Sequence, residues 1–155
     1  MKRIALMVPE SIEEITIGQL QRFTHAVENG MDRETAALVC YCGASVKYVK
    51  QYKQADRERI VQRIDRLFES EVHQHVKRFK LGGKVYGFVP NLDKISFAEW
   101  TDIESTQYEV ADLHTLIGTL YREVIAENGS KYRFKPYTPD AEHNERMKDA
   151  PVNVA

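Results

Sequence analysis

The chain has 155 residues, of which 43% are hydrophobic and 29% charged, and its 22 basic and 23 acidic side chains leave a formal net charge of −1. That balance describes one ordinary globular domain long enough to bury a core. It excludes a disordered polypeptide, and it excludes recruitment to nucleic acid by an overall positive field.

The opening Met1-Lys2-Arg3-Ile4-Ala5-Leu6-Met7-Val8-Pro9 begins like a secretory signal, but its apolar run ends at Pro9. No later stretch is long enough to span a bilayer, so an intracellular protein is expected. Ile4 to Val8 reads as a short strand or an extended arm. An acidic cluster, Glu10, Glu13 and Glu14, follows.

The clearest signal in the chain occurs twice. Ile15-Thr16-Ile17-Gly18-Gln19-Leu20-Gln21-Arg22-Phe23 and Ile95-Ser96-Phe97-Ala98-Glu99-Trp100-Thr101-Asp102-Ile103 share one chemical order. In each, a hydroxyl residue stands three positions before Gln or Glu, the pattern of a capping box that satisfies the first free N–H groups of a helix. An Ile before each cap and Leu20 or Trp100 four residues after it complete a hydrophobic staple.

The first capped helix is expected from about Ile17 to Val27, stopped by Asn29-Gly30. Arg33 to Cys42 reads as a helix closed by Gly43, with Ala36, Ala37, Val39 and Cys40 inward, and a short helix from about Ser45 to Tyr52 can follow. From Asp56, the spacing of Ile60, Ile64, Leu67 and Phe68 predicts one buried helix face, with Arg59, Arg63, Arg66 and Glu69 opposite. The period then changes to alternation. Val72 to Leu81 and Lys84 to Val89 flank Gly82-Gly83, which predicts a β-hairpin with Phe79 opposite Tyr86 and with Phe79, Leu81, Tyr86 and Phe88 on one covered face.

A helix from Phe97 to about Ile103 comes next. Thr106-Gln107-Tyr108-Glu109 reads as a third capping box, opening the longest helix with Val110, Leu113, Ile117, Leu120, Tyr121 and Val124 inward and Asn128-Gly129 at its end. Lys131 to Phe134 alternates charge with aromatic and reads as a strand with Tyr132 and Phe134 inward. The expected architecture is α+β and mostly helical, with helices on one face of a small antiparallel sheet made of a β-hairpin at 75–89 and a strand at 131–136. Residues 1–139 form the single domain, and 140–155 read as a flexible C-terminal tail.

Signals for chemistry are weak by comparison. His73 and His75 share one face of a strand but lack a nearby third ligand, and Cys40-Tyr41-Cys42 lacks the spacing of a zinc site. Both cysteines are expected as free thiols in a buried helix. No nucleophile motif, phosphate loop or dinucleotide fingerprint is present, and Gly82-Gly83 precedes a strand, so it is a turn and not a phosphate cradle. No catalytic residue, metal or cofactor is assigned. The basic stretch Lys47, Lys50, Lys53, Arg57, Arg59, Arg63 and Arg66, with Tyr48 and Tyr52, raises a nucleic-acid reading. Asp56, Glu58, Asp65 and Glu69 in the same segment favour an ion-paired face instead. Phe88, Pro90, Asn91 and Leu92, with Trp100, form a candidate protein-docking patch, since aromatic anchors are what interfaces use. The competing reading of Trp100 is a staple between its own helix and the sheet.

The run Tyr86-Gly87-Phe88-Val89-Pro90-Asn91-Leu92-Asp93-Lys94-Ile95-Ser96-Phe97-Ala98-Glu99-Trp100-Thr101-Asp102-Ile103 resembles a stretch shared by small tailed-bacteriophage morphogenesis proteins. Further similar residues are Ile15 to Gln21, Leu113-His114, Leu120-Tyr121-Arg122, Tyr137 beside Pro136, and Met147-Lys148-Asp149-Ala150-Pro151-Val152. Glu123 departs from the pattern, where a proline is usual, and the chain stops soon after Pro151, where relatives continue into an apolar helical segment. The resemblance implies a non-enzymatic, tail assembly chaperone-like protein in the host cytoplasm. Its partners would be tape-measure, tail-tube or head–tail proteins, or further copies of itself, engaged through Phe88, Pro90, Asn91, Leu92, Trp100, Tyr137 and Pro151. A structural virion component, such as a head–tail connector or capsid-associated protein, and a small nucleic-acid-binding regulator are the alternatives.

Overall fold

Thr16 opens the first helix as its surroundings dictate. Its hydroxyl oxygen accepts from the Gln19 N–H at 3.1 Å, and Gln19 Oε1 accepts from the Thr16 N–H at 2.9 Å. The computed structural model describes residues 6–69, 76–88, 96–106, 109–128, 131–134 and 141–154, without the side chains of 126–128 and 131–134. The first half holds four helices: α1 (Ile17–Glu28), α2 (Arg33–Cys42), α3 (Val46–Val49) and α4 (Gln54–Glu69). Asp32 caps α2 by accepting from the Thr35 N–H at 3.0 Å, and the Thr35 hydrogen bonds hold the Asp32 carboxyl below its ordinary pKa. Gly43 ends α2 in the left-handed conformation, with φ of 68°.

The expected inner face of α2 needs correction. Ala36 and Ala37 are buried, but so are Leu38, Tyr41 and Cys42, while Val39 and Cys40 are half-buried. The reason is that α1, α3 and α4 all pack on α2, so more than one stripe is covered. In α4 the buried face is Val61 and Ile64, flanked by Ile60, Leu67 and Phe68, and Arg59, Arg63, Arg66 and Glu69 face outward as expected.

The second half builds a four-stranded antiparallel sheet in the order β1 (Arg78–Leu81), β2 (Lys84–Phe88), β3 (Tyr121–Asn128), β4 (Lys131–Phe134). Gly82 and Gly83 have φ of 58° and 78°, the left-handed pair that a tight two-residue hairpin demands, and Phe79 faces Tyr86 across it. The α+β architecture is the one expected. The strand β3 is not: Tyr121 to Asn128 were read as the end of a long helix. The helix α6 (Leu113–Leu120) stops at Tyr121, where the chain turns extended and pairs with Phe88. Asn128, expected at a helix end, instead pairs with Lys131 across β3 and β4; Gly129 lies outside the described residues. A bulge at Ile125 interrupts the β3–β4 register and leaves that side chain exposed. The expected inward placement of Tyr132 and Phe134 lies outside the described side chains.

Between β2 and α6 stands α5 (Phe97–Ser105). The third capping box does not form. Thr106 is buried and its hydroxyl donates back to the Ile103 carbonyl at 2.7 Å, and a 3-10 turn, Val110–Asp112, leads into α6. After β4, α7 (Ala141–Arg146) and 3-10 turns at Met147–Asp149 and Val152–Val154 complete the described chain. The helices α6 and α7 approach so closely that a Cβ on Gly118 would stand 2.1 Å from Asn144 Oδ1.

Two hydrophobic clusters result. The helical one gathers Ile15, Leu38, Tyr41, Val49, Ile64 and Val152; the sheet one gathers Ile17, Tyr86, Ile117, Tyr121, Met147 and Val154. They meet along a seam. Residues 15–17 and 150–152 run side by side, joined by Ile17 N–H to Ala150 carbonyl at 2.9 Å and Val152 N–H to Ile15 carbonyl at 2.7 Å. Across this seam Ile15 and Val152 point to one cluster and Ile17 and Val154 to the other. The expected flexible tail is therefore corrected: over 141–154 the chain is ordered, with Met147 and Ala150 fully buried. Burial of four apolar side chains offsets the entropy of ordering that polar segment.

Candidate protein-interaction site

The capping box at Ser96 forms as the first one does. Its hydroxyl oxygen accepts from the Glu99 N–H at 3.2 Å, and Glu99 Oε2 accepts from the Ser96 N–H at 3.3 Å. Glu99 has a second task. Its other oxygen receives the Arg122 guanidinium from β3 at 2.6 Å, and both side chains are largely withdrawn from water. A buried charge demands such a partner, so this ion pair fixes which side of α5 faces the sheet.

That choice turns α5 inside out relative to its hydrophobicity. Glu99, Ile103 and Thr106, at helical spacing, are buried, while Phe97 is 84% exposed and Trp100 52% exposed. Phe97 and Trp100 stand three residues apart and so share one outer face. Trp100 keeps about half of its surface in solvent, and Ile95, its expected staple partner, lies outside the described residues. Phe97 was missed in the sequence; the signal available was its i, i+3 relation to Trp100, out of phase with Glu99 and Ile103.

The other expected interaction residues are distributed differently. Phe88 is half-buried within the sheet cluster, its ring edge-on to Tyr121 at 5.5 Å, which makes it a packing residue. Pro151 is half-buried in the seam, bridged to Thr16. Pro90, Asn91, Leu92 and Tyr137 lie outside the described residues, as do His73 and His75.

Groups with chemical potential are occupied structurally. Burial pushes the Cys42 thiol up to about 11 and raises that of half-buried Cys40, which suppresses the reactive thiolate at neutral pH. His143 Nε2 sits 2.8 Å from the Gly118 carbonyl and 3.1 Å from that of Tyr121, bracing α7 on α6. His114 lies against Gln21 at 2.9 Å, and burial lowers its pKa. Among the described residues, no group of three or more His, Cys, Asp or Glu is placed to hold a metal ion. The basic segment is ion-paired in part: Arg33 forks onto Asp65, Arg59 meets Asp56 at 3.1 Å, and Arg57 donates to Thr35 at 3.0 Å with Asp32 and Glu34 near it.

Comparison with protein-family models, curated proteins and solved structures finds no match for this chain. Among the described residues, no helix is long and apolar enough to cross a membrane. What the geometry offers is a surface for contact: a rigid helix, held by a buried ion pair, presenting two large aromatic side chains to solvent.

Proposed function

We propose that this chain is a non-enzymatic phage morphogenesis protein, tail assembly chaperone-like, that binds other tail proteins while the tail is built. The observation that carries the reading is the outward face of α5, where Phe97 and Trp100 stand exposed within the stretch that resembles the phage proteins. Exposed aromatic pairs are costly to leave in water and are the commonest anchors of protein interfaces. Two anchors on one short helix give a contact that forms and releases readily, as a factor acting during assembly requires. The partners proposed are tape-measure, tail-tube or head–tail proteins, and no cofactor or nucleic acid enters the mechanism. The test is quantitative mass spectrometry of purified mature particles. Absence of the protein is the expected result, and its presence at fixed copy number overturns the chaperone reading.

One observation favours a second reading, a structural virion component. Residues 147–154 put side chains into both clusters, so this stretch does not serve as a mobile arm for holding a client, and the surface offered by α5 is pre-formed. A rigid surface suits permanent incorporation. Stoichiometric recovery from particles is the outcome that this alternative requires.

A further inference from the structure

A groove of about 340 Å³ opens between α1, α2 and α4, elements that play no part in the α5 face. That volume lies within the range of roughly 300–1,000 Å³ typical of small-ligand and side-chain sites. Three aromatic rings line it in series. Phe23 and Tyr41 have ring centroids 5.1 Å apart, and Tyr41 and Phe68 are 5.9 Å apart. Such rings present a negative quadrupole at their faces and favour cations over anions.

The charged residues at the groove point the same way. Asp65, Glu69 and Arg33 line it, and Arg33 is committed to Asp65 through a two-pronged contact. Glu69 stands one helical turn beyond Asp65, exposed, and pairs with no cation among the described residues. Among the described residues the lining therefore carries two carboxylates against one guanidinium, beside an aromatic wall. An apolar ligand would satisfy the rings and leave Glu69 unused, and an acidic one would be repelled.

We propose that this groove is a docking site for a basic side chain, lysine or arginine, presented by a partner polypeptide. The aliphatic stem lies along Phe23 and Phe68, over the nearly enclosed Tyr41 ring, and the cationic head reaches Glu69 at the rim. Long basic side chains are suited to such a site because their stems bury on apolar surface while their heads remain at the rim. The proposal stands independently of the role in tail assembly and of Trp100.

The experiment titrates the full chain, carrying isotope-labelled Phe and Tyr, with an amphipathic leucine–lysine helical peptide and with its leucine–glutamate counterpart. The lysine peptide is expected to shift the Phe23, Tyr41 and Phe68 ring resonances saturably, and the glutamate peptide to leave them in place. Glu69→Gln, at an exposed position that does not threaten folding, should weaken the lysine peptide about threefold, and Glu69→Lys about tenfold. Failure of the lysine peptide to bind, equal binding of both peptides, shifts confined to Phe97 among the labelled rings, or an unchanged affinity in Glu69→Lys would each overturn the proposal.

Discussion

The two copies of the nine-residue motif start their helices identically and then diverge. Around Thr16, the residues on either side of the cap, Ile15 and Ile17, are fully buried. Around Ser96, the matching Phe97 is 84% exposed, and the residue driven inward is the box carboxylate, Glu99. The difference turns on one position. Gln19 is neutral and its amide need only serve the Thr16 backbone, whereas Glu99 carries a charge that Arg122 can capture from β3. The local code thus sets where a helix begins, and a long-range ion pair decides which face it hides.

The sharpest way to break this comparison is to truncate the matching apolar positions. Ile17→Ala should cost about 2–5 kcal/mol, since its side chain is wholly enclosed, while Phe97→Ala should change stability by no more than about 0.5 kcal/mol. Urea denaturation of the two variants measures both. Equal losses would show that Phe97 is packed after all. Next in size is Glu99→Gln, which keeps a capping group but strips the charge that faces Arg122; a loss of roughly 3 kcal/mol is expected. Gln19→Glu, on the first copy, should have a much smaller effect by the same assay. The smallest effect sharpens what the copies share: Thr16→Ala and Ser96→Ala should each cost about 1 kcal/mol, because the capping hydrogen bonds are the same in both. A large inequality between them would mean that the boxes are not equivalent.

Much of the fold could be read from local chemistry. Both capping boxes, the stop at Gly43, the outward arginines of α4 and the Gly82-Gly83 register are all short-range properties, set by hydrogen-bonding groups or by φ within a few residues. The strand β3 could not be read that way. Leu120, Tyr121 and Val124 continue the helical stripe of Leu113 and Ile117, and Glu and Ala are good helix formers. Strand pairing with Phe88 on one side and Phe134 on the other overrode that preference. The burial of Met147, Ala150, Val152 and Val154 was hidden for a related reason. Met147, Ala150 and Val154 are at helical spacing, but Pro151 breaks the run into two short 3-10 turns, and their place is given by backbone pairing with residues more than a hundred positions earlier. The exposed aromatic face of α5 was half legible: Trp100 stood out as the lone tryptophan, but Phe97 was passed over because nothing local announces that Glu99 will be inside.

The seam between residues 15–17 and 150–152 has a consequence for synthesis. As the polypeptide emerges from the ribosome, α1 to α4 can form early, yet the space that Val152 fills stays vacant, and the sheet cluster lacks Met147, Ala150 and Val154. Neither cluster is complete until residues 147–154 have been made, so closure of both waits on a segment synthesised more than a hundred residues after α1.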